Sequence, residues 1–147
     1  DNIGVIGQVT RVYPMVAEVT LITDKDHPLP VQVVRNGLRA VVYGAGDGAS
    51  LDLRFMAGNA DIQNGDVLVT SGIDGIYPPG FAVATVDKID RNVDKNFANV
   101  YCSPVGGVNR YRHLMVLFYD AGFGPKPADK QTKAVETKSN RLYRGKP

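Results

Sequence analysis

The chain is poor in the residues that most often carry chemistry: one cysteine, two histidines and no tryptophan among 147 residues. With Cys102 alone, no internal disulfide can form and no cysteine-rich zinc site can be built. Long apolar runs are missing as well. None approaches the roughly 18 residues of a membrane span, and Asp1-Asn2-Ile3-Gly4 has neither the basic nor the apolar region of a signal peptide. The residues alone therefore describe either a cytosolic protein or a piece of a longer one. Helical periodicity is nearly absent, and Asp61 to Asn64 is the one place that invites a helical turn. A large charge of one sign is lacking too. The net charge is +2, but residues 1–124 carry 10 Lys/Arg against 13 Asp/Glu, and residues 125–147 carry 7 against 2. A mildly acidic body lacks the basic footprint of a nucleic-acid binder. The segment 120–147, basic, proline-containing and poor in apolar residues, is expected to be a flexible tail.

What is present is β pattern. Alternating apolar and polar residues, rich in valine, mark strands at Val5 to Val12, Ala17 to Thr23, Pro30 to Val34, Leu38 to Tyr43 and Leu51 to Met56. Further strands are marked at Val67 to Ser71, Ala82 to Asp90, Phe97 to Pro104 and Leu114 to Tyr119. Glycine, proline and Asx turns separate them, at the spacing of an all-β sandwich or barrel. Asn36-Gly37 is the sharpest of these signals and is expected to form a two-residue type I′ turn at a hinge between two parts. Residues 37–96 alternate strands and tight turns closely enough to close as a small barrel. Residues 1–36 supply too few strands for a barrel of their own, so this part is expected to be completed by strands from 97–119 or by another chain.

Candidate chemistry is thin. Ser71 with His27 and Asp24 or Asp26 has the residue types of a chymotrypsin-like hydrolase. Ser71, however, follows Val69-Thr70 at a strand end, without the context that activates a serine. Cys102 sits within a strand, where a cysteine is usually a packed apolar residue. Two distant histidines without an acidic cluster suggest no metal site, and no cofactor motif is found. Gly44-Ala-Gly-Asp-Gly48 lacks the Lys-Ser/Thr ending of a phosphate loop and reads as a hairpin. Arg35, Arg39 and Arg54 beside Tyr43 and Phe55 keep open a single-stranded nucleic-acid face on an OB-like barrel. Large residues at turns and strand ends suggest instead a surface for protein partners, with Tyr13, Phe55, Tyr77 and Phe81 as candidate anchors.

One stretch sharpens the choice. Gly65-Asp66-Val-Leu-Val-Thr70-Ser71-Gly72 with Tyr77-Pro-Pro-Gly80-Phe-Ala-Val83 follows, in order, Gly4-Val-Ile-Gly7-Gln8-Val9, Val19-Thr-Leu-Ile-Thr23-Asp24, and Pro30-Val-Gln32-Val33 with Arg35-Asn36-Gly37. Together these motifs resemble the extracytoplasmic β region of the bacterial rod-shape-determining MreC family, from about Gly4 to Phe118. The resemblance implies an all-β fold of two small β-barrels, the first incomplete at its N-terminus here. It implies a non-enzymatic, cofactor-free scaffold of the cell-elongation and peptidoglycan-synthesis machinery. Its implied partners are the elongation-specific penicillin-binding transpeptidase, MreD, the MreB system and further copies of itself, with no nucleic acid. It further implies a periplasmic location, anchored by an N-terminal helix that, with a coiled coil, would precede this stretch.

Overall fold

The computed structural model describes residues 4–92 and 96–120; the basic tail expected from the sequence lies almost wholly outside the described residues. The architecture is all-β, as the alternation predicts. Eight strands form: β1 Gly7–Val12, β2 Ala17–Leu21, β3 Leu29–Val33, β4 Arg39–Gly44, β5 Leu51–Ala57, β6 Val67–Thr70, β7 Ala82–Asp90 and β8 Phe97–Pro104. β1 and β2 make a two-stranded antiparallel sheet, and the other six close into a barrel in the order β3-β4-β5-β8-β7-β6.

The barrel follows from period-two patterning. Along β3, Leu29, Val31 and Val33 are buried while Pro30 and Gln32 are not, and along β8, Ala98, Val100 and Cys102 point in. These meet Val42, Leu51, Leu53, Leu68, Val83 and Val86 in one core, which fills the interior as small barrels require. Closure is made by β3, which pairs with β4 on one side and β6 on the other, with Val31 opposite both Ala40 and Thr70. Register shifts in β5–β8, β6–β7 and β7–β8 add the local bends that let so few strands close.

The boundaries expected from the sequence move. β3 belongs to the barrel rather than to the first part, so Asn36-Gly37 is a turn inside the barrel and not a hinge. The turn is also longer than a two-residue loop: Val33 N–H donates to the Leu38 carbonyl, Gly37 N–H donates to Val33, and of the two central residues only Gly37 has a positive φ. β8 closes the barrel between β5 and β7 instead of completing the first part. Leu114–Tyr119 forms no strand; its side chains stand exposed, Phe118 at 98%. The closed barrel offers it no free edge, and it pairs with neither outer edge of the β1–β2 sheet. Asp61 to Asn64 makes no helical turn; the chain turns at Asn64-Gly65.

The segments flanking the two-stranded sheet tie it to the barrel. Val5 N–H donates to the Ala82 carbonyl, Ile22 N–H donates to Ile6, and Ile22 is fully buried. Gly44 N–H donates to Asp24, and a Cβ on Gly44 would lie 1.9 Å from the Thr23 carbonyl oxygen, so the close approach of these two backbones depends on glycine.

Candidate interaction surface

The expected acid, base and nucleophile set does not assemble. His27 Nε2 lies 2.7 Å from the Tyr77 hydroxyl, while the Ser71 hydroxyl accepts from its neighbour Ile73 N–H. Asp24 accepts from Asp26 N–H, a turn contact within its own loop. Cys102 is buried, and desolvation, reinforced by the charges of Asp87 and Asp52, pushes its thiol up to about 12, so it is not a ready nucleophile. Gly44 to Gly48 forms the β4–β5 hairpin, with the Asp47 carboxylate accepting from Ala49 and Ser50 N–H. Among the described residues, no three His, Cys, Asp or Glu side chains converge as a metal site would require.

The basic residues divide between two uses. Arg35 forms a two-pronged pair with Asp66, Nε to Oδ1 at 2.9 Å and Nη2 to Oδ2 at 3.0 Å, and also reaches both carboxylate oxygens of Asp61. Asn36 joins by donating to the Asp61 carbonyl. This knot fastens the β3–β4 turn to the β5–β6 loop, and the guanidinium holds both carboxyls below the usual carboxylate range. Arg35 is thus engaged in the fold. Arg54, by contrast, lies on the outer barrel wall with its guanidinium 4.5 Å from the centre of the Tyr43 ring.

The four expected anchors part company. Tyr77 is only 6% exposed, and burial pushes its hydroxyl up to about 12, so it is a core residue and not an anchor. Its Pro-flanked loop turns it inward, where His27 satisfies its polar end. Phe81 is half-buried, its backbone fixed on both sides by Thr70. Tyr13 is 51% exposed in the β1–β2 turn. Phe55 is 74% exposed, on the barrel.

Phe55 lies in the β5 bulge. Leu53 pairs with Val100 and Met56 with Ala98, so two residues, Arg54 and Phe55, fit between consecutive inward positions and both face outward. The bulge gives Phe55 a φ of 61°, the only positive value at a non-glycine residue among those described. Such a conformation costs a bulky residue about 1–2 kcal/mol. The Phe55 ring meets Phe97 edge-on, with centroids 6.2 Å apart. Beside them runs an open groove of about 400 Å³ lined by Asp52, Arg54, Phe97, Asn99 and Tyr101 among others. At Asp52, Oδ1 is buried without a hydrogen-bond partner. Phe97, Tyr101 and Asp52 were not singled out from the sequence, although the alternation in Phe97-Ala98-Asn99-Val100-Tyr101 already sets the first, third and fifth residues on one face.

The family model described as rod shape-determining protein MreC, barrel core, matches residues 1–118. The chain belongs to the MreC family. It is 39% identical over 115 residues to the cell shape-determining protein MreC of Escherichia coli strain K12, covering 78% of this chain and 31% of that one. With the Haemophilus influenzae protein of the same name it shares 38% identity over 118 residues, 80% of this chain and 34% of the relative. The chain thus spans about a third of the length of these curated relatives. The crystal structure of MreC from Pseudomonas aeruginosa is similar at 45% identity with a TM-score of 0.71, over 75% of this chain and 71% of that one. The fold extends to a structure described as a complex between penicillin-binding protein PBP2 and MreC from Helicobacter pylori, at 22% identity and a TM-score of 0.53, over 67% and 60% of the two chains.

Proposed function

We propose that this chain is the barrel region of a non-enzymatic scaffold that organises bacterial cell elongation through protein–protein contacts. Its parent would be anchored in the inner membrane with this region in the periplasm, and would engage the elongation-specific penicillin-binding transpeptidase, MreD, the MreB system and further copies of itself. The observation that carries this reading is family membership over residues 1–118. It is supported by relatives named for cell shape and by the shared fold with an MreC chain solved together with a penicillin-binding protein. Exposed aromatic residues at Tyr13 and Phe55 supply contact chemistry, and His27 and Ser71 have other partners than each other. The test is photocrosslinking of the full-length parent in cells from Tyr13, Phe55 and Phe81. Capture of the transpeptidase is the expected result; capture of none of the three named proteins would reject the reading.

A second reading draws on the same wall. Arg54 over Tyr43, with Phe55 and Phe97 nearby, has the aromatic and cationic character of single-strand binders. Asp52 and the acidic body oppose a phosphate backbone, and the absence of salt-sensitive binding to single strands would dismiss it.

A further inference from the structure

Two asparagine-glycine pairs occur in the chain, Asn36-Gly37 and Asn64-Gly65, and both sit in turns with the glycine at positive φ, 71° and 88°. Such a pair has a chemistry of its own. Glycine carries no Cβ to shield its nitrogen, so that nitrogen can close onto the preceding side-chain amide, which makes asparagine a labile residue. The fold treats the two pairs differently. Asn36 is held at both ends of its amide: Oδ1 accepts from Leu38 N–H at 3.0 Å, and Nδ2 donates to the Asp61 carbonyl at 2.7 Å and to Asp61 Oδ2 at 3.3 Å. The following Gly37 N–H donates to the Val33 carbonyl. Asn64 is exposed, and its side-chain amide joins no hydrogen bond among the described residues. Backbone alone closes its turn, with Asp66 N–H donating to the Gln63 carbonyl, and Gly65 N–H donates to the Val86 carbonyl at 2.8 Å just before β6.

We propose that Asn64 is a site of spontaneous covalent modification, deamidation through a cyclic imide, and that the fold withholds the same reaction from Asn36. The Gly65 nitrogen gives up its proton to solvent base and attacks Asn64 Cγ. A nitrogen–carbon bond forms, the Cγ–Nδ2 bond breaks, and Nδ2 leaves as ammonia with a proton from solvent. Water then opens the imide ring at either carbonyl carbon and leaves aspartate or isoaspartate, with no change of oxidation state. In each turn the glycine N–H must first leave its acceptor, Val33 or Val86, so that step does not separate the two. The side chain does. Asn36 must also give up its three bonds, one of them to a carboxylate, whereas Asn64 has none to break. Reaction at Asn64 thus needs only local opening at the start of β6, with the barrel still folded. The product bears on the ion pairs beside it. A carboxylate at position 64 falls between Asp61 and Asp66 in the chain, both paired with Arg35. Isoaspartate also lengthens by one carbon the backbone of the turn that sets Gly65 against Val86.

The experiment incubates the folded 147-residue chain in mildly alkaline buffer and follows both turns by peptide mapping and mass spectrometry, with fragmentation that separates aspartate from isoaspartate. A denatured sample of the same chain runs in parallel. In the folded chain Asn64 should convert about tenfold or more faster than Asn36, because only Asn36 has side-chain bonds to release. In denaturant the two rates should come together. A ratio in the folded chain no larger than in denaturant would overturn the proposal. Protection of both turns, against a denatured control that converts, would overturn it as well. Asn109 supplies the last control, being exposed but followed by Arg110. Conversion at Asn109 as fast as at Asn64 would show that exposure alone decides, and would equally overturn the assignment.

Discussion

The barrel and the two-stranded sheet both expose large apolar side chains, but for different physical reasons. In the sheet, exposure follows from openness: β1 and β2 have only each other, and Val12, Met15, Val16 and Val19 stand out because no second layer among the described residues covers them. In the barrel every strand is paired on both sides and the interior is filled. Phe55 is exposed there in spite of closure and at a backbone cost. Exposed apolar residues are therefore not equivalent. Those on an unlayered sheet lack cover, whereas Phe55 is held outward by a bulge in a closed wall.

Core truncation should separate the regions most strongly. Leu68→Ala, fully buried in the barrel, should cost about 3–5 kcal/mol in chemical denaturation and unfold β3 to β8 together. Gly44→Ala comes next, at about 3 kcal/mol, because its Cβ would meet the Thr23 backbone; comparable stability would mean that the sheet is not held to the barrel as described. Asp66→Asn should cost about 2 kcal/mol by weakening the two-pronged pair with Arg35. It should also change the acid limb. Asp61 and Asp66 have folded values lowered by Arg35, so their contribution is fully present above the unfolded carboxylate value near pH 4 and is lost as pH falls through the lowered folded values. Denaturation midpoints followed below about pH 4 should fall less steeply in Asp66→Asn than in wild type. Smallest of all, Val19→Thr in the open sheet should change stability by less than about 0.5 kcal/mol.

Much of this was legible in the sequence, because period-two burial writes itself directly into strands. Leu29, Val31 and Val33, or Ala98, Val100 and Cys102, are buried as their alternation requires. Pairing was less legible. Nothing in Pro30 to Val34 says whether its neighbours are β2 or β6, since closure is decided by long-range register, and Leu114–Tyr119 has the composition of a strand but pairs with no edge. The surface divided in the same way. Tyr77 and Phe55 are both aromatics beside turns, yet a proline-bracketed loop carries one into the core and a bulge holds the other out. The β5 bulge has no local signature, because it exists only where Leu53 and Met56 must both point inward against β8. Asp52 was equally invisible, since its unpaired oxygen depends on neighbours from a strand about 50 residues away.

Whether the Phe55 ring contributes to folding is decided by chemical denaturation of Phe55→Asn against wild type. Relief of the left-handed backbone and loss of the edge-on contact with Phe97 oppose one another. Phe55→Asn is expected to be between equal in stability and about 1 kcal/mol more stable than wild type. A loss of more than about 1 kcal/mol would instead show that the ring supports the barrel itself.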